Sequence, residues 1–137
     1  MKPRSFSYML DSNVIGNLLR GNSTVAKHIA NADMASLCIS SIVEGEIFYG
    51  LAKRPEARRL ALAVVEFLKR VETVPWNSEA ARRYGELRAS LEKRGKVLST
   101  MDTLIAAHAL SLNATLVSND NAFQAVEGLL TEDWTKE

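Results

Sequence analysis

Two aspartates in this sequence stand just beyond short apolar runs that are typical of buried strands. Asp11 directly follows residues 6–10, and Asp120 lies two positions beyond residues 114–118. In open α/β sheets, ligands bind beyond the carboxyl ends of the strands, where the strand order reverses. Each position can also be a turn or a helix cap, because Asp favours such sites. A chemical role for Asp11 and Asp120 therefore depends on further acids converging on the same edge.

Two more acids are predicted on helices that begin near this edge. Asp102 opens an apolar helix predicted from Ser99 onwards, and Glu46 lies among apolar neighbours in the helix after the second strand. Glu44 competes with Glu46, and at i and i+2 the two cannot share one face of a helix. Ser99 and Asp102 also fit a reciprocal capping box, and the sequence leaves that alternative open.

Four carboxylates brought within a few ångströms of one another would repel strongly. Two unit charges about 5 Å apart, at an effective dielectric constant near 20, cost on the order of 3 kcal/mol. Oxygen ligands without His or Cys favour Mg²⁺ or Mn²⁺. Such a cation can activate a bound water and stabilise the attacking and leaving oxygens when a phosphodiester is cleaved. Ser12, Asn13 and Asn119 would then be outer donors that orient the carboxylates or the scissile phosphate.

Length and composition indicate one domain, residues 1–137, with a substantial core. Segment 53–96 holds twelve of the 17 Lys and Arg residues but six of the 16 acids, so a basic middle stands beside an acidic remainder. That asymmetry suits a protein that attracts a polyanion and holds a metal, although Lys and Arg also simply coat exposed helices. The single cysteine excludes a disulfide framework, and no stretch resembles a signal peptide or a membrane span, which predicts a cytoplasmic protein.

The order of apolar patterns predicts an α/β fold. Short buried strands near residues 6–10, 36–40, 72–75, 114–118 and 129–131 alternate with amphipathic or apolar helices. Such alternation implies a parallel sheet covered by helices on both faces. The ends of the first and fourth strands are expected to be neighbours at the point where the strand order reverses, which would bring Asp11 and Asp120 together.

Five segments, in this order and spacing, resemble PIN-domain endoribonucleases of the VapC toxin type over almost the whole chain. They are Met9-Leu-Asp-Ser-Asn-Val14, Ile39-Ser-Ser-Ile-Val-Glu-Gly-Glu-Ile-Phe-Tyr-Gly50, Leu98-Ser-Thr-Met-Asp-Thr-Leu-Ile-Ala-Ala-His-Ala-Leu110, Ala114-Thr-Leu-Val-Ser-Asn-Asp120 and Gly128-Leu-Leu-Thr-Glu-Asp-Trp134. The resemblance assigns the catalytic, metal-binding acids to Asp11, Glu46, Asp102 and Asp120, and so chooses Glu46 over Glu44. Ser12 departs from the usual Thr of the family, but it keeps a hydroxyl.

The resemblance also implies the fold and the biology. It implies a three-layer α/β/α domain with a parallel sheet of four to five strands in the order 3-2-1-4-5. It implies a Mg²⁺- or Mn²⁺-dependent endoribonuclease toxin that acts on tRNA or ribosomal RNA. It further implies a homodimer, silenced by a small VapB-like antitoxin that also binds operator DNA.

Two other functions share parts of this pattern. A phospho-acceptor switch would need adjacent acids after the first strand, where Ser12 and Asn13 stand. It would also need a lysine after a late strand, and no Lys lies between Val97 and Thr135. An RNA-binding module without catalysis would not need all four acids. RNA is expected to approach over the basic segment, where the candidate contacts are Arg58, Arg59, Arg82, Arg83 and Arg88.

Overall fold

A computed structural model describes residues 5–137 as one five-stranded parallel sheet with helices packed around it. The strands are β1 (Tyr8–Leu10), β2 (Leu37–Ser40), β3 (Glu72–Val74), β4 (Thr115–Val117) and β5 (Thr131–Glu132). The α-helices are α1 (Ser12–Leu19), α2 (Ser23–Asn31), α3 (Ser41–Ala52), α4 (Arg58–Arg70), α5 (Ser78–Lys93) and α6 (Thr100–Leu112). The sheet order is β3-β2-β1-β4-β5, which confirms the predicted order and fixes the number of strands at five.

Strand β2 shows why this is a three-layer fold. All four of its residues are fully buried, although successive side chains point to opposite faces of a sheet. Both faces are therefore covered, as expected for parallel strands. β3 lies at one edge of the sheet and is the more exposed for it.

The central strand β1 sets the position of the first acid. Its residues Met9 and Leu10 are completely buried and pair with β4 at Leu116 and Val117. β1 also pairs with β2, so the strand order reverses beside β1. The carboxyl ends of β1 and β4 are thus neighbours, which confirms the expectation drawn from the sequence.

Helix α6 is buried, as its nearly continuous apolar surface indicates. Six of its residues are buried, and it packs against both α5 and α3. Asn113 ends it with a φ of 55°, the left-handed conformation that Asn tolerates better than most residues. The chain then turns directly into β4, so this cap helps to place the loop that carries Asp120. None of the helices between residues 5 and 137 is long and apolar enough to cross a membrane.

Candidate active site

Asp11 lies at the carboxyl end of β1 and is held there by three donors. The Ser12 backbone N–H donates to Oδ1 at 2.9 Å. Oδ2 accepts from the Ser118 hydroxyl at 2.8 Å and from the Asn13 side-chain amide at 3.1 Å. Asp11 also caps α1, so the capping role and the chemical role coincide in one residue. The carboxylate is buried, and its hydrogen bonds fix its orientation.

Ser118 is a member of this site that the sequence analysis did not single out. Its buried hydroxyl donates to Asp11 and accepts from the Asn13 amide and from the Asp120 backbone N–H, each at 3.1 Å. It therefore joins the end of β1 to the loop after β4. The signal was available in the sequence: Ser118 is a small polar residue at the end of an apolar strand predicted to run beside β1.

The three predicted outer donors, Ser12, Asn13 and Asn119, all lie at this site, but they contribute through different atoms. Asn13 bridges the site, since its amide donates to Asp11 and Ser118 while its Oδ1 accepts from the Asn119 backbone N–H at 3.3 Å. Asn119 thus contributes through its backbone. Ser12 contributes through its backbone N–H to Asp11, and its hydroxyl faces Glu46.

Glu46 approaches Asp11 from α3, whose N-terminus is capped by Ser40. Burial raises the pKa of the Glu46 carboxyl, the charges of Asp11 and Asp102 raise it further, and the Ser12 hydroxyl lowers it. Its Oε1 is buried and has no hydrogen-bond partner among the described residues. Glu46 also lines the groove beside the acids, whereas Glu44 on the same helix does not. The environment of Glu46 thus agrees with its choice over Glu44.

Asp102 and Asp120 complete the acidic group. Burial raises the pKa of Asp102, the charge of Asp120 adds to that, and Ser99 opposes it. The pKa of Asp11 is also raised, first by burial and then by Asp102 and Asp120, against the hydrogen bonds from Ser118 and Ser12. These acids therefore experience one another's charge, as expected for carboxylates that share one space.

The capping alternatives for these two acids are partly realised. The Ser99 hydroxyl accepts from the Asp102 backbone N–H at 3.1 Å and so caps α6. The Asp102 carboxylate is only half-buried and faces Asp11 and Glu46. Asp120 is exposed, and its Oδ1 accepts from the Ala122 backbone N–H at 2.9 Å in an Asx turn. A cap at each position leaves at least one carboxylate oxygen for another ligand.

The donors suit a hard divalent cation, although they do not form a finished coordination shell. Within residues 5–137, no three His, Cys, Asp or Glu side chains are placed so that they could already hold a metal ion. The acids present only oxygen atoms, and the unpartnered, buried Glu46 Oε1 is the kind of atom that a cation would satisfy. The donor chemistry of these residues therefore fits Mg²⁺ or Mn²⁺.

A groove of about 1000 Å³ opens beside the acids, between α1, α3, α4 and the start of α6. Its floor is apolar, with Ile15, Ile42 and Leu104 among the lining residues, and Ser12 and Glu46 stand at one end. The predicted RNA-binding arginines lie elsewhere. Arg58, Arg59, Arg82, Arg83 and Arg88 are exposed on α4 and α5. Arg82 pairs with Glu79 and Arg88 with Glu92 on the same helix.

A parallel sheet that gathers acids at the reversal of its strand order is an arrangement that a metal-dependent nuclease can use, and comparison with known proteins identifies the class. The PIN domain family model matches residues 8–129. Ribonuclease VapC2 of Haemophilus influenzae is 33% identical over 93% of this chain and 97% of its own length. The tRNA(fMet)-specific endonuclease VapC of Shigella flexneri is also 33% identical, over 93% of this chain and 98% of its own.

A solved structure gives the same result. DNA-bound VapBC from Salmonella typhimurium contains a chain that is 30% identical and superimposes with a TM-score of 0.87, covering 94% of this chain and 98% of that one. The chain therefore belongs to the PIN-domain family, as a ribonuclease toxin of the VapC type. The fold and the enzyme class expected from the sequence are both confirmed.

Proposed function

We propose that the chain cuts RNA by hydrolysis at the site formed by Asp11, Glu46, Asp102 and Asp120, with Mg²⁺ or Mn²⁺ as cofactor. One observation carries the proposal: the acids meet where the strand order reverses, close enough for their charges to act on one another, and the buried Glu46 Oε1 has no hydrogen-bond partner among the described residues. Such a group costs stability, and shared function explains why it is kept. When bound, the cation would lower the pKa of water and offset charge on the phosphate.

The protein's own contribution is to hold the acids in place. Ser118 and Asn13 fix both the Asp11 carboxylate and the loop that carries Asp120. Ser40 and Ser99 cap the two helices that carry Glu46 and Asp102. The acids are therefore positioned by β1, β4, α3 and α6, which are all anchored in the core. These contacts and caps bring the four carboxylates to one edge of the sheet.

Hydrolysis with water as the nucleophile predicts the chemistry of the products. We expect 5′-phosphate and 3′-hydroxyl ends, because the RNA 2′-hydroxyl takes no part, and we expect cleavage to require Mg²⁺ or Mn²⁺. Sequencing of the new RNA ends, with and without a chelator, checks both. Full activity in the chelator, or 2′,3′-cyclic phosphate ends, would contradict the mechanism. The same mapping on total RNA would identify the substrate.

Transfer RNA is the substrate class that we propose first. The relative from Shigella flexneri is described as specific for tRNA(fMet), and it aligns with almost the whole chain. Initiator tRNA is thus the first substrate to test, with ribosomal RNA as the comparison. The exposed arginines at positions 58, 59, 82, 83 and 88 stay a prediction as contacts for the body of the RNA.

The apolar groove is a candidate binding site for a partner that silences the enzyme. We infer a small VapB-like antitoxin whose C-terminal arm lies across α1, α2 and α4, in the apolar groove and in a smaller hollow of about 550 Å³ lined by Leu18, Ile29 and Phe67. Arg or Lys from the arm would pair with Asp11 or Glu46. The other end of the antitoxin would bind operator DNA, and the toxin would pair with itself as a homodimer.

Expression of this chain without its partner should arrest growth. Rescue is expected from the neighbouring small gene, because its product would block the acids. Rescue is equally expected from Asp11→Asn, because the substitution removes one of the carboxylates. Colony counts after induction provide the measurement. A wild-type chain that proves harmless in its own host would contradict the toxin role, whereas RNA cleavage in vitro would still test the nuclease separately.

A further inference from the structure

The groove beside the acids carries positive charge at its opposite end. Arg20 at the end of α1, and Lys53 and Arg54 just beyond α3, line it, and we call these three residues the basic rim. Glu46 lies on α3 at the acidic end. At a rise of 1.5 Å per residue, Lys53 lies about 10 Å beyond Glu46 along the helix. The acids and the basic rim thus face one continuous channel.

An exposed aromatic ring stands between the acids and the cations. Tyr49 follows Glu46 by one helical turn, lines the same groove and is 65% exposed. The Lys53 ammonium lies 4.6 Å from the centre of its ring. Exposed aromatic rings within a basic groove are the platforms on which single-stranded nucleic acids stack their bases. Tyr49 and Lys53 together provide one site for a base and one for a phosphate.

Among the described residues, the cations of the basic rim have no acidic partner. Within residues 5–137, Arg20, Lys53 and Arg54 form no ion pair. Arg82 and Arg88 on α5, by contrast, are paired with acids of their own helix. A phosphate would have to compete with a carboxylate at those two arginines, but not at the basic rim.

Gly16 allows Arg20 to face the groove. A Cβ placed on Gly16 would lie 3.1 Å from Arg20 Nη1, so the guanidinium folds back along α1 over this residue. Gly16 and Ser12 are one turn apart on the same face, and Ser12 adjoins Asp11. The guanidinium therefore points back along the groove towards the acids.

We infer that the basic rim and Tyr49 form a subsite for the RNA strand beside the scissile phosphate. The cations bind a neighbouring phosphate of that strand, and Tyr49 stacks with a base. This inference rests on the proposed function and adds to it the path of the substrate. Because the antitoxin arm is proposed to fill the same groove, RNA and antitoxin would exclude one another there.

A purely structural role for these cations makes a different prediction. All three stand at or beside the C-terminal ends of helices, where a positive charge stabilises the helix dipole. In that role, removing a charge would lower the melting temperature and leave RNA affinity unchanged. The two roles are therefore separable by measuring affinity and melting temperature on the same preparations.

The test uses Lys53→Gln, Arg54→Gln and Arg20→Gln in the full chain, with Lys27→Gln on α2 as the matched loss of charge. The probes are a labelled initiator tRNA transcript and a labelled short oligouridine, measured by anisotropy with a chelator present. In the binding assay we expect weaker affinity for RNA and a salt slope reduced by about 0.7 for each phosphate that the variant no longer binds. In the cleavage assay with Mg²⁺ or Mn²⁺ we expect a higher KM at nearly unchanged kcat. Tyr49→Ala should weaken binding about fivefold or more at an unchanged slope.

Gly16→Ala provides a variant that keeps every charge. Its Cβ requires the flexible Arg20 guanidinium to give way by only a few tenths of an ångström, so it is a control in which RNA binding should change little while the added alanine favours the helix. If the rim variants match Lys27→Gln in affinity, slope and KM while the enzyme still cuts RNA, the subsite is wrong and the proposed function stands. Absence of cleavage by the wild type with Mg²⁺ or Mn²⁺ would instead overturn the proposed function. Weaker antitoxin binding with unchanged RNA binding would also overturn the subsite.

Discussion

Asp11→Asn is expected to abolish RNA cleavage and to leave the protein folded. Loss of an outer donor around a metal typically costs 10- to 100-fold in activity, so loss of a carboxylate that holds the metal should cost more than about a hundredfold. The free energy of unfolding should change by no more than about 1 kcal/mol, because two effects oppose each other. Asn removes a buried charge near Asp102 and Asp120, and it gives up one acceptor for Asn13 or Ser118.

The controls for this prediction lie on the neighbouring helices. Glu46→Gln should also abolish cleavage, whereas Glu44→Gln on the same helix should be nearly silent. Asp102→Asn should abolish cleavage at little cost in stability. Ser99→Ala removes the cap of α6 but keeps the carboxylate, so it should cost about 1 kcal/mol of stability and spare most of the activity.

Nuclease assays and thermal melts on the same preparations decide the outcome. If Asp102→Asn only destabilises the protein and retains activity, Asp102 is a cap and the proposed set of acids is wrong. If Glu44→Gln and Glu46→Gln behave alike, the choice between them fails. A normal rate for Asp11→Asn would refute the site altogether.

The general plan of the site could be predicted because it depends on local patterns. Short apolar runs ended by Asp mark the ends of β1 and β4, and the alternation of strands and helices makes those ends neighbours. What the sequence could not provide was the network between them. Ser118 bonds to Asp11 across 107 positions of sequence, and such a pairing depends on the register of β1 against β4.

Helix ends show the same division between local and tertiary information. Ser23 and Ser78 are favourable capping residues in the sequence, but the structure places Asn22 and Asn77 at the caps, with the serines as the first helical residues. Asn and Ser cap about equally well, so the choice between adjacent candidates depends on how the chain enters the helix. At α3 and α6 the structure places the caps at Ser40 and Ser99, although Ser41 and Thr100 follow directly as further candidates.

His108 leads to the second large effect, on stability. His108 lies in the apolar helix α6, and its ring is completely buried, with Nδ1 hydrogen-bonded to the Ser40 hydroxyl at 2.8 Å. Its Nε2 has no partner among the described residues. Burial lowers the pKa of His108 to about 4, because a charged imidazolium would lose its hydration. The neutral ring is thus the form that the fold accommodates.

Burial of His108 should therefore lower the free energy of unfolding as the pH falls below about 6.5. Between the usual pKa of 6.5 and the folded value of about 4, the unfolded chain binds a proton that the folded chain does not. The contribution is complete above pH 6.5 and is lost progressively towards pH 4, at a total of about 3 kcal/mol. The raised pKa values of Asp11, Glu46 and Asp102 act with the opposite sign, since their protonation at low pH relieves repulsion in the folded state.

A comparison of variants isolates the histidine from these acids. His108→Leu keeps the acids and removes the titrating ring, so its unfolding free energy should fall less between pH 8 and pH 5 than that of the wild type. Ser111→Ala is the matched control, because its hydroxyl donates to the His108 carbonyl on the same helix but does not titrate in this range. Urea unfolding at both pH values provides the measurement. Equal losses in the wild type and His108→Leu would show that the buried ring does not set the acid limit of this fold.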